Sequence, residues 1–449
     1  MPETGWLRSL RPFVLAGVTA ASLASLAGAE PVITLQQTGS SANRLDVAIL
    51  GDGYTTGEMA KYAADVNALV GQLFNEEPFR TYRSVFNVHR VEVVSAESGA
   101  DKPVEGVFRN TSLGAFYYCG GIDRLICVDS IAVNNVLAAS LRVDQRDLVV
   151  ILVNDTTYGG SGGAYAVLSL HPSSTEIARH EIGHTLGLLA DEYVTGPPPP
   201  CNTSFEPIEA NATLRTTRAL IKWAAWIEDS TPIPTLSAQP GVPGLYQGGK
   251  YCVVGMYRPT FDSKMRSLGR PFEQINTEQL TKRIYNFVSP IDSASPFDAI
   301  VSADLGELSA FEVRTPELSH AFQVSWEVDG QSAGSGLAIT IDTGQLGRGT
   351  HQVRVTVSDP TAFVRNDPGD ALRASEAWLL RVLAAVDGDV DGDRAVTCGD
   401  VQVVQSAFGK RRGATGFDPR ADWNDDAVIS VYDLAYVARR LAAGTDCRQ

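Results

Sequence analysis

The chain has 449 residues, 37 Lys and Arg against 52 Asp and Glu, a formal charge of -15 at pH 7 and 44% hydrophobic residues. That length exceeds one compact domain, so two to four are expected, and the apolar content is ordinary for globular protein. The acidic balance argues against nucleic acid as a partner and suits carboxylate ligation of Ca²⁺.

The N-terminus reads as a secretory signal over residues 1–29. Arg8 and Arg11 supply the positive end, residues 13–26 are uncharged and mostly apolar, and Ala27-Gly28-Ala29 is a small-x-small cleavage site before Glu30. The mature chain is therefore expected to start at Glu30 and to be secreted. A retained anchor is the alternative, but the stretch is short and broken by small and hydroxyl residues. No later segment is long and apolar enough to span a bilayer. Six cysteines suit an oxidising compartment, and the simplest pairing is Cys119 with Cys127, Cys201 with Cys252 and Cys398 with Cys447.

Residues 30–288 read as one mixed α/β unit. Residues 45–50 predict a strand ending in Gly51-Asp52-Gly53-Tyr54, and 56–74 a helix from the spacing of Met59, Tyr62, Val66, Leu69, Val70 and Leu73. Residues 85–94 predict a second strand. The unbroken apolar run 148–153 marks a buried central strand. A glycine-rich flexible turn follows at 159–163, then a short strand at 164–170. A further helix starts near Ser173-Ser174-Thr175, with Glu176 in its first turn. Four prolines break the chain at 197–200. Residues 208–226 are expected as a surface helix, 237–250 as a loop and 272–287 as a closing helix.

From 296 to 385 the pattern becomes all-β. Residues 322–328 and 351–357 alternate, the latter after a turn at Gly347-Arg348-Gly349, which predicts an immunoglobulin-like sandwich. The last segment, 387–449, holds an internal repeat at a constant offset of 33 residues, each copy leading into an apolar-periodic helix, 401–408 and 434–441.

The chemistry concentrates in His180-Glu181-Ile182-Gly183-His184. Two histidines four apart on a helix share one face and can hold one Zn²⁺, with the glutamate as general base. At about 100° per residue, Ala178, Ile182, Leu186 and Leu189 fall on the opposite, buried side. The third ligand is expected to be Asp191, with Glu192 as its rival; a solvent-facing pair at the helix end is the bland alternative. On an unbroken helix Asp191 would lie about 10.5 Å along the axis from His184, too far to share a metal. Gly187, or the chain just after it, must therefore turn the backbone. Glu181 would deprotonate a water activated by the metal and later return a proton to the leaving amine. Downstream, Met265, with Met256 second, is the candidate apolar floor beneath the ligands, and Tyr257 is the candidate oxyanion donor.

These residues carry a resemblance. The zinc motif followed by Leu189-Ala190-Asp191-Glu192-Tyr193, with Gly51-Asp52-Gly53-Tyr54 upstream and Tyr257-Arg258-Pro259 and Ser263-Lys264-Met265-Arg266 downstream, resembles the IgA-peptidase-like zinc metalloendopeptidases, themselves metzincin-like. The resemblance covers roughly residues 40–288. It implies a secreted endopeptidase acting on protein or peptide substrates, with His180, His184 and Asp191 as zinc ligands, Glu181 catalytic and Met265 in a Met-turn. The chain departs from the wider metzincin pattern, which places its third ligand where Ala190 stands here.

The C-terminal repeat offers calcium ligands. Oxygen donors at loop positions 1, 3, 5, 9 and 12, with a backbone carbonyl at 7, are the EF-hand arrangement. Asp389, Asp391, Asp393, Ala395, Thr397 and Asp400 occupy those places in the first copy, and Asp422, Asn424, Asp426, Val428, Ser430 and Asp433 in the second. Arg394 and Ala427 stand where glycine normally permits the sharp turn. Two such loops, each followed by one helix, resemble a dockerin module, which implies a cohesin-like partner. The rival to an enzyme is an adhesin or scaffold component that binds zinc and calcium without cutting; a zinc hydrolase of a non-peptide bond is a third reading.

Overall fold

The computed structural model describes residues 28–195, 201, 204–236, 238–384, 386–393 and 395–447. All but the last two residues of the expected signal, the four prolines at 197–200 and Arg394 lie outside the described residues.

Six strands, β1 (Val32–Gln36), β2 (Leu45–Asp52), β3 (Phe86–Val91), β4 (Leu148–Val153), β5 (Gly160–Ser161) and β6 (Ala166–Leu168), form one sheet in the order β1-β3-β2-β4-β6-β5. The inner four are parallel, while β1 and β5 close the two edges antiparallel. Ile49 on β2 stands between Arg90 on β3 and Val150 on β4. β2 and β4 are buried at every position, as strands covered on both faces must be. Alternation divides their side chains between two cores. Val47, Ile49 and Val150 meet helices α1 (Met59–Leu73), α3 (Ser174–Thr185) and α4 (Glu273–Ile284). Ala48, Leu50 and Ile151 meet Val133 and Leu137 of α2 (Ser130–Ser140). Helix α1 is launched by Glu58, whose carboxylate accepts both the Thr55 amide and its hydroxyl, at 3.0 and 2.8 Å.

Three local expectations need correction. Segment 208–226 is neither an α-helix nor a surface element. It makes two short 3₁₀ turns, Arg218–Leu220 and Ala224–Trp226, and buries Ile221, Trp223 and Trp226. Each indole is anchored separately, Trp223 Nε1 donating to the Gly244 carbonyl at 2.7 Å and Trp226 Nε1 to Glu278. The expected loop 237–250 instead ends in a hairpin, β7 (Tyr246–Gly249) with β8 (Cys252–Arg258). Its two-residue turn, Lys250 and Tyr251, has φ of 48° and 66°, a geometry usually signalled by Asn-Gly and here carried by residues that give no such signal. The glycine stretch 159–163 supplies the edge strand β5 where only a flexible turn was expected.

Beyond the first unit, β10 (Ile300–Asp304), β12 (Gln323–Val328), β13 (Gln331–Ser335), β15 (Gly349–Ser358) and β16 (Arg373–Leu383) form a five-stranded sheet, order β10-β16-β15-β12-β13. β9 (Ser293–Ser295), β11 (Leu308–Arg314) and β14 (Ala338–Asp342) form a second sheet, and a short helix α5 (Thr343–Leu346) follows β14. The inward residues of both share one core around Phe311, Ile341, Trp326, Val355 and Trp378, with the two indoles stacked 5.9 Å apart. The last unit carries α6 (Cys398–Ser406) and α7 (Val431–Ala438) around Val401, Val404, Ile429 and Val437. The disulfides are Cys119–Cys127, Cys201–Cys252 and Cys398–Cys447, the pairing expected from the sequence.

The units are joined by polar contacts. Asp359, beyond the end of β15, accepts the hydroxyls of Tyr82 and Tyr285 of the first unit at 2.6 Å each and pairs with His320 Nε2 at 2.5 Å. The Arg348 guanidinium lies 3.5 Å over the Trp423 ring and donates to the Arg420 and Trp423 carbonyls of the last unit. Removing the shared acceptor would strand two buried hydroxyls. Asp359→Ala is therefore expected to lower the unfolding free energy by about 2–4 kcal/mol in chemical denaturation. A loss under about 0.5 kcal/mol, the range of an ordinary surface change, would show that the hydroxyls find other partners.

Candidate metal centre and its cleft

Helix α3 owes its orientation to its own sequence. Ile177, Ala178 and Ile182 are buried in the core against the sheet, which leaves His180 and His184 on the face toward the cleft. Glu176 in the first turn pairs with Arg179 and Lys264, fixing the N-terminal end. The helix stops after Thr185. A Cβ at Gly187 would lie 2.6 Å from the Gly183 carbonyl oxygen, so the chain passes there only as glycine. The reversal itself is made one residue later, by Leu188 at φ 52°. The Leu188 and Leu189 amides then donate to the carbonyls of His184 and Gly183.

This turn brings Asp191 back. Its Oδ1 lies 3.1 Å from His180 Nε2 and 3.3 Å from His184 Nε2, and the two nitrogens are 3.2 Å apart. Asp191 Oδ1 is buried and has no hydrogen-bond partner. Three donors set tetrahedrally at about 2.0 Å around one ion would be separated by about 3.3 Å. The residues present therefore fit a zinc-sized ion. Each of the three side chains is held from behind. His180 Nδ1 faces the Lys264 carbonyl at 3.0 Å and His184 Nδ1 the Leu189 carbonyl at 2.7 Å. A carbonyl only accepts, so both Nδ1 atoms carry a proton and both Nε2 atoms are left to face the centre. Tyr251 donates its hydroxyl to Asp191 Oδ2, and the Lys250 amide donates to the Asp191 carbonyl at 2.7 Å.

Electrostatics follow from this crowding. Burial pushes Glu181, 5% exposed, above the usual carboxylate range. Burial also acts to raise Asp191, but the adjoining imidazoles of His180 and His184 outweigh it and hold that carboxyl well below its ordinary value. Burial would depress His184; the Asp191 carboxylate overrides it and lifts the imidazole to about 9.

Glu192, the rival ligand, faces elsewhere. It is fully enclosed and accepts from Ser263 Oγ at 2.8 Å, Asn276 Nδ2 at 2.9 Å and Asn211 Nδ2 at 3.1 Å. Its amide donates to the Met265 carbonyl at 2.8 Å. Met265 has no exposed surface, and a Cβ at Gly183 would come within 2.6 Å of its sulfur, so it packs directly beneath the motif helix. Met256 packs in a separate cluster with Ala190. Tyr257, expected to donate to an oxyanion, is not in the cleft. Its ring packs against the Trp223 cluster and its backbone pairs with Thr213. The register of β8 turns it away, and the neighbouring turn presents Tyr251 instead.

The cleft also holds residues the sequence reading missed. Arg124 Nη2 donates to the Tyr193 hydroxyl at 2.9 Å, and both line the hollow over His180 and Glu181. Tyr193 belongs to the motif extension, a signal that was on view; Arg124 had none. The glycines of β5 matter for close approach. A Cβ at Gly160 would meet Ile177 at 2.5 Å, and one at Gly162 would meet His184 Cβ at 2.7 Å and Glu181 Oε2 at 3.0 Å.

In the last unit, Asp389, Asp391 and Asp393 bring one carboxylate oxygen each within 4.8 Å of the others. The Asp400 carboxylate accepts the amides of Val390, Asp391 and Thr397, and Thr397 caps α6 through the Gly399 amide. Ala395 donates its amide to Asp393. The second loop repeats the pattern: Asp433 accepts from Trp423 and Ser430, Asp426 from Val428, and Asn424 Nδ2 reaches Asp426 at 2.9 Å. There Asp422 accepts the amides of Asp426 and Ala427, and Arg412 pairs with Asp422 and Asp425.

Residues 33–239 match the family model described as IgA Peptidase M64. No curated protein matches the chain. Among solved structures, fibronectin(III)-like modules of Clostridium thermocellum CbhA are 17% identical over 21% of this chain and 98% of that one, with a TM-score of 0.16. A nucleoside hydrolase-related hypothetical protein from Saccharophagus degradans is 13% identical over 76% of this chain and 100% of that one, with a TM-score of 0.17. At those scores neither likeness informs the fold.

Ala427 sits at φ 66°, which costs an L-residue about 1 kcal/mol or more. Ala427→Gly is expected to stabilise the last unit by about 0.5–1 kcal/mol, read as a rise in its melting temperature. An unchanged or lower melting temperature would refute the strain.

Proposed function

We propose, on the match of residues 33–239 to the IgA Peptidase M64 family model, that this chain is a zinc-dependent endopeptidase, exported through residues 1–29 and acting outside the cell on protein substrates. The observation that carries the reading is the triangle of His180 Nε2, His184 Nε2 and Asp191 Oδ1, with edges of 3.1 to 3.3 Å, beside the buried carboxylate of Glu181. Those three residues would hold the ion. When bound, zinc supplies Lewis acidity toward a water and the scissile carbonyl.

The chain's own groups do the rest. Glu181 takes the proton of the attacking water on its carboxylate and returns it to the leaving nitrogen. Arg124 and the Tyr193 hydroxyl face the same hollow and supply donors to the substrate. Gly160 and Gly162 let the edge strand and the residue after it pass close to Glu181. Three disulfides suit an oxidising compartment, and among the described residues no helix is long and apolar enough to cross a membrane.

We read 30–288 as the catalytic unit, 296–385 as an immunoglobulin-like sandwich and 387–449 as a dockerin-like module that holds two calcium ions and docks to a cohesin-like partner. The shared core of the two β-sheets supports the second assignment, and the cluster of Asp389, Asp391 and Asp393 supports the third.

Zinc-loaded protein is expected to cleave casein or mixed peptides, lose that activity to a chelator and regain it with zinc. Glu181→Gln should lower kcat by about 10²–10⁴-fold with metal content unchanged. Failure of the zinc-loaded wild type to cut any member of a broad peptide library would favour the non-catalytic binder. Calcium is expected to raise the melting temperature of the last unit, and Asp391→Ala to abolish most of that rise. Equal melting with and without calcium would remove the ion from this reading.

A further inference from the structure

On the side of His180 and Glu181 away from Asp191, the cleft opens into a pocket of about 300 Å³ walled by Arg124, Tyr158, Arg266, Ser267 and Leu268. Arg124 also borders the hollow that holds His184, Asp191 and Tyr251, so it stands where the two halves of the cleft meet. A peptide whose carbonyl reached the metal centre would pass this point, with the next side chain directed into the pocket.

The pocket wall brings two guanidiniums with neutral partners beside Glu181. The chain carries 52 acidic residues against 37 basic ones, and three of its buried cations sit in ion pairs. Lys264, 1% exposed in the pocket wall, is held by Glu76 and Glu176; Arg44 is held by Asp292, and Arg179 by Glu76 and Glu176. Arg124 and Arg266 differ. Arg124 donates to the Tyr193 hydroxyl and lies 5.9 Å from that ring. Arg266 donates to the Phe261 carbonyl at 2.7 Å and lies 5.1 Å over the Phe261 ring. Neither forms an ion pair among the described residues. Neutral acceptors and ring faces orient both guanidiniums, with no carboxylate in contact with either among the described residues. Glu181 is the one carboxylate in the pocket wall, and its proton traffic already occupies it.

Arg124 is also preorganised. Its carbonyl accepts the Gly160 amide at 3.1 Å, and the Cys119–Cys127 disulfide closes the loop that carries it. A planar guanidinium held this way favours a carboxylate through paired N–H donors.

We propose that Arg124 and Arg266 form a specificity subsite for an acidic side chain, Asp or Glu, adjacent to the scissile bond. This rests on the endopeptidase reading above and narrows it to acidic protein substrates. The full-length zinc-loaded protein would be assayed on peptide pairs identical except for Glu or Gln at each position around the cut. At one position beside the bond, kcat/KM for Glu should exceed that for Gln by about tenfold, and the excess should shrink as salt is added. Arg124→Ala and Arg266→Ala should each pull that ratio toward one, Arg124→Lys should retain part of it, and Arg124→Glu should favour Lys at that position. Cleavage by the wild type with no Glu preference anywhere overturns the subsite and leaves the endopeptidase standing. An equal loss on both peptides in Arg124→Ala, with the ratio kept, overturns it in favour of transition-state stabilisation. Absence of any cleavage overturns both readings together.

Discussion

A regular helix cannot fold a residue seven places on back onto its own histidines, and the centre depends on how the chain escapes that limit. The escape is paid in backbone strain at residues with side chains. Leu188 takes a left-handed conformation at the helix end, and Lys250 and Tyr251 take two more in the hairpin that meets it. The amide of one and the hydroxyl of the other then hold Asp191 from two directions. Strained positions of this kind survive only where surrounding structure over-determines them, and here they gather around one carboxylate. Asn211 completes the hold, clasping the amide and carbonyl of Ala190 at 2.8 Å each.

Around that carboxylate the chain buries charge in linked sets. Glu76, Glu176, Arg179 and Lys264 form one network that ties the start of α3 to the segment carrying Met265. Glu192 with Ser263, Asn211 and Asn276 forms a second, ending on α4. Loss of one member would leave an uncompensated buried charge, which costs more than the pair contributes while whole. The two networks therefore act as a frame. They fix the height of the histidines over Met265 and the return path of the chain to Asp191.

What the sequence disclosed tracks how local each signal is. The helix under the histidines, the central strand 148–153 and the alternating strands of the second unit follow from periodicity within a few residues. The disulfide pairing followed from proximity along the chain. The choice of Asp191 as the candidate third ligand required a turn after the helix, and the turn is there, but it falls on Leu188, which carries no turn signal. The hairpin after Tyr246 was hidden for the same reason, since Lys250-Tyr251 lacks the Asn-Gly signature. With the hairpin hidden, nothing in the sequence brings Tyr251 to the site. Residues 208–226 hold no Gly or Pro and so read as a helix, while their indoles are tied to unrelated partners. Arg124 could not be read at all, because its position comes from a disulfide-closed loop laid against the sheet edge.

The seat of Arg348 on Trp423 has a mechanical outcome. A terminal module strung on a loose linker lets an enzyme sweep a sphere around its anchor. Here the guanidinium stacked on the indole, with its bonds to two carbonyls, docks the last unit on the β-rich one, and Asp359 docks that unit on the first. If the tail is held by another molecule, the cutting edge points along one bearing set by these joints, and reach is exchanged for aim.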